Sequence, residues 1–524
     1  MTPGDADPQT VREVEHKLRV HGLFELPDLT AAGCGVARVE PQPTLRLTAA
    51  YFDTADLRLA RHKVTLRRRD GGEDDGWHLK LPADEAAGGA DKSAGAPASR
   101  DEVQLPLDAA PEDGPPPRQL LDRVLGLTRT ATVEPVTTLR NERQPYELFD
   151  ADGLLLAELT DDSVAVVDAG HVTARFRELE VERREGSPAA LAAVVAALEA
   201  AGAVAAGDVS KAARALGPAA AAPPDVPEPG PVRPKDPAAD AVTAHLARHV
   251  RAFQAQDLRV RRDLPDSVHQ MRVAARRLRS GLKVFAPLVE EHWADALRSE
   301  LAWIAGVLGE VRDREVLEER LLAHAAELGE PDAEAAGSAI RRILDAEIGP
   351  ARAGVDEALV SPRYVALLDV LVDAAHSPRL TKAAQDRCSQ ALPPLVRRTW
   401  RRLARDVERL RLDSPDVEWH EARIAAKKAR YSTEMLVPVF GEPAKALAKQ
   451  LASVTELLGD HHDAVIAAQT LRRFAGTRNL TGRAGFAIGR LHDVERAHAA
   501  DLLVQFERTW PEVSRKRYRA WLDT

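Results

Sequence analysis

Residues 11–19 read VREVEHKLR, and residues 176–182 read FRELEVE. Charged and apolar residues alternate in both stretches, so Glu13, Glu15 and Lys17 would share one face of a β-strand. The same period of two recurs before residue 218, between turns rich in Gly, Asp and Pro. The other predicted strands are residues 45–52, 64–69, 77–81, 103–107, 154–159 and 164–167. This half also predicts helices at 118–125 and 188–200, and an Ala/Gly/Asp/Ser-rich loop at 83–99.

At least five of these strands carry charged residues on one face. Further examples, each two residues apart, are Arg67 with Arg69, Arg100 with Glu102, and Glu178, Glu180 and Glu182. For a single strand, a solvated face is the simplest interpretation. Repetition on so many strands favours an antiparallel sheet closed into a barrel, with the charges inside and the apolar side chains outside.

Such a lumen has a definite chemistry. Carboxylates packed together repel one another unless cations lie between them, and hard oxygen ligands select Mg²⁺ or Mn²⁺. Arginine and lysine in the same chamber need an anion, and the guanidinium group matches phosphate oxygens in pairs. A metal-binding wall facing a phosphate-binding wall predicts a phosphoryl-transfer site.

A Pro- and Ala-rich stretch, residues 218–235, divides the 524-residue chain and predicts an extended linker. The net charge of −9 is unevenly distributed about it. Residues 1–235 carry 27 Lys and Arg against 39 Asp and Glu, and residues 236–524 carry 45 against 42. Neither half has the strong positive charge of a nucleic-acid binder.

Beyond the linker the apolar period becomes 3.6, which predicts an all-helical half. Predicted helices include residues 238–256, 267–285, 292–308 and 314–328. This half contains a repeat: HQMRVAARRLR at 269–279 aligns with HEARIAAKKAR at 420–430, and LGEVRD at 308–313 aligns with LGDHHD at 458–463. Two motifs that keep nearly the same offset indicate a duplicated unit.

The repeated motif places cations in a stripe. His269, Arg272, Arg276 and Arg279 fall on one helix face, and so do His420, Arg423, Lys427 and Arg430. Like charges this close favour a polyanion partner, and their repetition argues against an ordinary solvated face. Each histidine is either a phosphate donor or a buried helix contact. A zinc site at residues 461–463 is not expected, because the first copy has no His there.

Composition excludes several classes. Only two cysteines are present, which excludes a disulfide framework and fits a reducing, cytoplasmic protein. No stretch approaches the roughly 18 apolar residues of a membrane helix, and the acidic residues 1–10 do not resemble a signal peptide. Aromatic residues make up 4%, which disfavours single-strand nucleic-acid binding.

The first half resembles the CYTH family, the triphosphate tunnel metalloenzymes. The similarity begins with the ExExK pattern of residues 13–17 and continues in order through residues 51–54, 66–69, 77–80, 100–102, 140–143, 158–162, 178–182 and 210–211. It implies an eight-stranded antiparallel tunnel that binds a triphosphate through Mg²⁺ or Mn²⁺. The implied metal ligands are Glu13, Glu15, Glu180 and Glu182, whereas Glu178 could be structural. The implied phosphate-binding residues are Lys17, Arg67, Arg69, Lys80, Arg143 and Lys211, with Arg140 as an alternative to Arg143 and with Glu102 and Asp162 as secondary candidates. Glu13, Glu15, Lys17 and Lys80 are the implied catalytic residues.

The second half resembles the CHAD family, the conserved-histidine α-helical domains. This resemblance implies two duplicated four-helix bundles around a basic surface that binds inorganic polyphosphate. The eight stripe residues of the repeat, from His269 to Arg430, would be the contacts.

The sequence therefore predicts a multidomain α+β protein with a tunnel domain at 9–217, the linker at 218–235 and a helical domain at 236–524. The predicted function is metal-dependent hydrolysis of inorganic triphosphate, coupled to polyphosphate binding. The alternative is a polyphosphate scaffold with little or no turnover. Adenylate cyclase and thiamine triphosphatase activities are weaker options. We expect a cytoplasmic protein, with polyphosphate granules as one site of association. The oligomeric state and the choice of metal are not predicted.

Overall fold

The structure is a computed structural model, and it describes residues 9–72, 74–84, 98–111, 114–207, 209–476 and 480–523. The side chains of Gln9, Val11, Glu13 and Ala98 also lie outside the description. The predicted loop at 83–99 falls mostly outside the described residues. The chain divides into two compact units, Met1–Asp225 and Val226–Thr524.

The first unit is built on a closed antiparallel barrel. Its strands are β1 (Gln9–Val20), β2 (Arg38–Pro41), β3 (Leu45–Asp53), β4 (Thr65–Asp70), β5 (Gly76–Pro82), β6 (Ala98–Leu105), β7 (Glu134–Phe149), β8 (Leu155–Asp168), β9 (His171–Arg183) and β10 (Val204–Ala205). Eight of them follow the order β1-β6-β5-β4-β3-β7-β8-β9, and β9 pairs again with β1. The two short strands are additions to this ring: β2 pairs with β7, and β10 pairs with β1. The predicted eight-stranded tunnel is therefore confirmed.

Strand β1 closes the barrel by pairing with two partners in succession. Its first part pairs with β6, from Gln9 opposite Gln104 to Glu15 opposite Ala98. Its second part pairs with β9, from Glu15 opposite Glu182 to Val20 opposite Arg177. Each of the eight strands is thus hydrogen-bonded to a neighbour on both sides, and the sheet closes into a ring.

Alternation along the strands places apolar side chains on the outer face. Leu18, Leu159 and Val181 are buried in one cluster that also contains Leu191 and Val194. The last two belong to helix α3 (Pro188–Ala200), which Ser187 caps by accepting a hydrogen bond from Ala190 N. Burial of this outer face leaves the charged face inside. The other helices of this unit are α1 (Arg58–Arg61), α2 (Arg118–Thr128) and α4 (Lys211–Leu216).

Strand β8 differs from the prediction because it is one continuous strand, whereas residues 154–159 and 164–167 were predicted as two. The intervening residues include Asp161 and Asp162, which resemble a turn in sequence. Asp161 pairs with Arg177 on the outer face at 2.5 Å, and Asp162 pairs with Arg143 inside at 2.8 Å. Paired carboxylates of this kind allow the strand to continue through them.

The described part of the second unit is helical. Its helices are α5 (Ala238–Val260), α6 (Ser267–Val284), α7 (Glu291–Ala326), α8 (Asp332–Leu359), α9 (Pro362–His376), α10 (Cys388–Ala391), α11 (Pro393–Arg409), α12 (Asp416–Glu434), α13 (Val437–Phe440), α14 (Glu442–Ala475) and α15 (Gly482–Val513). Within the described residues, none of the helices has the length and apolar character needed to cross a bilayer.

Both copies of the repeat contribute to the same cores. The main cluster joins Met271 and Leu278 of α6 to Trp419 and Ala426 of α12. A second cluster joins the far ends of α7, α8, α14 and α15. The helices of the two copies therefore stabilise each other.

Helix α7 is continuous, although the sequence predicted two helices, 292–308 and 314–328. The intervening stretch contains Gly309 but no proline, and a single glycine costs only about 1 kcal/mol in a helix. The LGEVRD motif therefore lies within a helix, and so does its counterpart in α14.

The predicted linker has defined contacts at its centre. The carbonyl of Pro223 accepts a hydrogen bond from Arg61 Nε at 2.6 Å, and Asp225 pairs with Arg129 at 2.5 Å. The next residue, Val226, is 1% exposed and belongs to the core of the second unit.

Candidate functional site

Three glutamates form a row across neighbouring strands of the lumen. Glu15 of β1 lies opposite Glu182 of β9, which lies opposite Glu158 of β8. Glu15 is buried and the other two are half-buried. Burial, together with the charges of Glu158 and Glu15, raises the pKa of Glu182, although Arg184 opposes this shift. The row is thus a concentration of negative charge that a cation would stabilise.

A second group of carboxylates is neutralised by Lys211, the first residue of α4. Its Nζ lies 2.7 Å from Glu180, 2.9 Å from Glu178 and 2.9 Å from Asp162. Burial opposes the positive charge, but Asp162, Glu180 and Glu178 raise the pKa of Lys211 well above its ordinary value. Lys211 therefore holds three inward carboxylates together, in addition to any role with a ligand.

Arg143 of β7 also faces the lumen. Its Nε and Nη2 donate to the two oxygens of Asp162 at 2.8 Å each, and Nη2 donates to Glu180 at 3.1 Å. Burial opposes this charge, and the carboxylates outweigh it, so the pKa of Arg143 is raised. The alternative residue Arg140 is exposed, and its register places it on the outer face.

The opposite wall carries Arg67, Arg69 and Lys80. Arg67 Nη2 and Lys80 Nζ each lie 3.6 Å from Glu102 Oε1, and Arg69 is bound to Asp74. The Nε atoms of Arg67 and Arg69 are buried and have no hydrogen-bond partner within the described residues. Unused buried N–H donors of this kind suit phosphate oxygens.

Lys17 lies between the two groups of carboxylates. Its Nζ is 3.1 Å from Glu15 Oε1 and 3.5 Å from Glu180 Oε1. Glu180 thus contacts Lys17, Arg143 and Lys211. Although burial opposes ionisation, the charges of Lys211, Lys17 and Arg143 hold the pKa of Glu180 well below its usual range.

The sequence reasoning missed His78, which is 1% exposed on the same strand face as Lys80. Its Nδ1 lies 2.9 Å from Glu102 Oε1 and its Nε2 lies 3.0 Å from the carbonyl oxygen of Asp74. The sequence did contain a signal for this residue, because His78 lies two residues before Lys80 and would therefore share its strand face. Glu158 lies within residues 158–162 of the CYTH resemblance, but no role was predicted for it.

As these side chains stand, the described residues contain no group of three or more His, Cys, Asp or Glu arranged to hold a metal ion. The side chain of Glu13, an implied ligand, lies outside the description, but its backbone pairs with Arg100 in β1. The donor set nevertheless fits a hard divalent cation, because the row of Glu15, Glu158 and Glu182 brings together carboxylate oxygens from three neighbouring strands. In this row Lys17 pairs with Glu15, and Arg184 pairs with Glu158 and Glu182.

In the second unit the two copies build matching ion pairs. Arg272 of α6 donates to Asp313 of α7 at 2.6 Å, and the equivalent Arg423 of α12 lies 3.8 Å from Asp463 of α14. The guanidinium group of Arg272 lies over Gly309, where an added Cβ would come within 3.2 Å of it. The two repeated motifs are therefore spatial partners.

The stripes of the two copies converge on one basic cluster. We define this cluster as Arg272, Arg276, Arg423 and Lys427. Besides burial, the charges of the three arginines lower the pKa of Lys427, and the charge of Arg276 lowers the pKa of Arg423. Burial and then the charges of Arg423 and Arg276 lower the pKa of Lys427 to about 8. The predicted stripe residues of both copies thus meet in space.

The remaining stripe residues differ in their surroundings. His420 Nδ1 lies 3.2 Å from His462 Nδ1, and His269 is half-buried. Arg430 donates to Glu434 at 2.6 Å, so its charge is already compensated. Burial and then Arg276 lower the pKa of the half-buried Arg279.

Comparison with known proteins agrees with this division. Two curated relatives, the uncharacterized proteins MT2285 and Rv2226 of Mycobacterium tuberculosis strains, are each 34% identical over 515 residues, covering 92% of this chain and 92% of their own. A CYTH domain matches residues 11–216, and a CHAD domain matches residues 244–472. The chain belongs to the CYTH–CHAD family. Its CYTH unit holds the tunnel, and its CHAD unit holds the basic cluster.

Solved structures resemble parts of the CYTH–CHAD chain. PptA from Streptomyces chartreusis is 26% identical with a TM-score of 0.47, and it covers 53% of this chain and 100% of its own. The CHAD domain from Ricinus communis is 25% identical with a TM-score of 0.44, covering 54% and 94%. HpAC1 from Hippeastrum, a putative adenylyl cyclase with a dominant triphosphatase activity, is 20% identical with a TM-score of 0.27, covering 39% of this chain and 95% of its own. All three scores are below 0.5, so the family assignment depends on the sequence relatives.

Proposed function

We propose that the CYTH unit hydrolyses inorganic triphosphate with the help of a divalent cation, Mg²⁺ or Mn²⁺. The observation that carries this proposal is the lumen of the closed barrel. There the buried Nε atoms of Arg67 and Arg69, which have no hydrogen-bond partner within the described residues, share a closed barrel with a row of three glutamates. Such a chamber suits a short chain of phosphates bound through both cationic side chains and metal.

Each wall would have its own role. Arg67, Arg69 and Lys80 would bind non-bridging phosphate oxygens, and their fixed positions would orient the chain. Lys17 would bind an oxygen near the row of glutamates. Water attacks the terminal phosphorus in line, the bond to the bridging oxygen breaks, and phosphate and diphosphate leave.

The glutamate row, together with Glu13, would hold the cation. CYTH domains depend in general on divalent cations. When bound there, the cation would offset phosphate charge and lower the pKa of a bound water. Glu180 differs because it contacts three cationic side chains, Lys17, Arg143 and Lys211, whereas Glu158 and Glu182 share one, Arg184. We therefore propose Glu158 as a ligand alongside Glu13, Glu15 and Glu182, with Glu180 as a residue that orders the basic side chains.

Activity measurements test this proposal. Phosphate release from triphosphate with Mg²⁺ or Mn²⁺ should fall at least about 100-fold in Glu15→Gln and in Glu182→Gln. Glu142→Gln is the matched control, because Glu142 is exposed on the outer face of β7. Equal rates in wild type and Glu15→Gln would refute the proposal.

We also propose that the CHAD unit binds inorganic polyphosphate through the basic cluster. The support is the convergence of Arg272, Arg276, Arg423 and Lys427 from two copies, where burial and the charges of the three arginines lower the pKa of Lys427. Binding should weaken steeply with salt, because a cation-rich site releases counterions. Absence of polyphosphate binding by the full chain at low salt would contradict this half of the proposal.

A scaffold with little turnover is the second candidate. It is favoured by one observation: Arg143 and Lys211 are already bound to Asp162 and Glu180, so a substrate must compete with internal carboxylates. Tight triphosphate binding without metal-dependent phosphate release would support this alternative.

A further inference from the structure

The repeat relates positions in α6 to positions 151 residues later in α12. By this offset Arg277 corresponds to Lys428, and Lys283 corresponds to Glu434. The pair Arg277 and Glu434 therefore has a counterpart in the pair Lys428 and Lys283. The repeat would place the two pairs on either side of the crossing of α6 and α12, which pack against each other.

The charge reversal at Glu434 makes the two sides unequal. On one side, Arg277 Nη1 donates to Glu434 Oε2 at 2.5 Å, and Arg430 Nε donates to Glu434 Oε1 at 2.6 Å. Both oxygens of this carboxylate are occupied, and both guanidinium groups are compensated. We call this the neutralised side.

The other side has no equivalent carboxylate. Lys283 and Lys428 are both exposed, and within the described residues neither they nor Arg279 form an ion pair with Asp or Glu. The pKa of Lys283 is lowered, and the charge of Lys428 is the largest cause, followed by burial and the charges of Arg298 and Arg279. We call this the cationic side. Like charges this close are relieved by an anion.

We propose that polyphosphate bound at the basic cluster leaves it along the cationic side, over Arg279, Lys283 and Lys428, and that Glu434 keeps it from the neutralised side. This inference rests on the proposed polyphosphate binding and adds a direction to it. Polyphosphate on the cationic side contacts additional cationic side chains without having to displace a carboxylate. On the neutralised side the chain would first have to displace Glu434 from Arg277 and Arg430, and it would meet that negative charge.

The test measures binding of long-chain inorganic polyphosphate to the full chain at several salt concentrations. The double variant Lys283→Gln/Lys428→Gln should bind about tenfold more weakly, and its salt slope should fall by roughly two. Arg277→Gln is the matched control from the neutralised side and should stay within about twofold of wild type. Glu434→Gln should bind about threefold more tightly, because it releases two guanidinium groups.

Thermal melting of each variant verifies that it is folded. The inference is overturned if the double lysine variant binds like wild type, or if Arg277→Gln weakens binding as much as that double variant does. It is also overturned if Glu434→Gln binds no more tightly than wild type. Failure of the wild-type chain to bind polyphosphate is a separate result, and it would remove the proposed polyphosphate site itself.

Discussion

At the scale of single residues, the basic cluster contains a lysine that titrates near neutral pH. The pKa of Lys427 is about 8, which is below the ordinary lysine value, so the side chain loses its charge as the pH rises through 8. Arginines remain charged over this range. Polyphosphate affinity should therefore fall between pH 7 and pH 9, and Lys427→Arg should remove most of this dependence. Binding measured across that range decides the matter; an equal pH dependence in wild type and Lys427→Arg would contradict it.

Lys211 offers a second test at the residue scale. Replacing it by Met leaves Asp162, Glu178 and Glu180 without their shared cation, so we expect a loss of about 3 kcal/mol in the free energy of unfolding at pH 7. The lowered pKa of Glu180 means that this stabilisation exists above the ordinary glutamate pKa and is lost on acidification. The deficit measured by urea unfolding should thus shrink as the pH falls below about 4.5, the ordinary glutamate pKa.

Arg118→Met is the control for that prediction. Arg118 is an exposed cation with a carboxylate neighbour, Asp122, at 3.5 Å, and its removal should change the stability by less than about 0.5 kcal/mol. A deficit of equal size in both variants, or one that does not depend on pH, would show that Lys211 has no special role.

At the scale of elements, the crossing of α5 and α6 depends on a glycine. A Cβ at Gly281 would lie 2.6 Å from Cδ2 of His245, which is 3% exposed and packs edge-on against Phe285. His245 has little room to move, so Gly281→Ala should destabilise the CHAD unit by about 1–3 kcal/mol. Gly306→Ala in α7, where an added Cβ would meet no atom within 4 Å apart from its own helix backbone, should instead stabilise it by about 0.5–1 kcal/mol. Chemical unfolding of both variants tests the difference in sign.

The elements also show where sequence patterns succeed and fail. Alternation predicted β1 and β9 because one face is apolar and buried. Strand β7 was not predicted from alternation, since Arg140 and Glu142 are exposed outside while Asn141 and Arg143 are polar inside. A strand that is polar on both faces has no hydrophobic period. The choice between Arg140 and Arg143 required the register of that strand, which only its pairing with β8 provides.

The candidate sites show the same limit. The inward charges of β1, β4 and β9 were recoverable from their spacing of two residues, but the partners of the inward charges were not. Arg143 meets Asp162 only because β7 and β8 are neighbours. In the CHAD unit, alignment of the repeat shows that Glu434 replaces Lys283. The contact between Glu434 and Arg277, 157 residues away, depends on how α6 packs on α12.

At the scale of the whole molecule, each unit has its own cores. The clusters that contain Leu18 and Tyr51 involve only residues before 226, and those that contain Met271 and Leu321 involve only residues from 226 onward. We therefore expect residues 226–524 to fold when expressed alone and to reproduce one of two thermal transitions of the full chain. Circular dichroism and calorimetry of the fragment test this; an unfolded fragment, or a single transition in the full chain, would contradict it.

The double pairing of β1 has a consequence for synthesis. Half of β1 needs β9 as its neighbour, and β9 ends at Arg183, so the ring cannot be completed until that residue has left the ribosome. At roughly 5–20 residues per second, the strand emerges roughly 10–30 seconds before this partner does. During that interval its backbone edge is available to other nascent chains, and the charges at Glu15 and Lys17 discourage such association. Glu15 and Lys17, which we propose to act in the tunnel, would thus also protect the nascent strand β1 from aggregation.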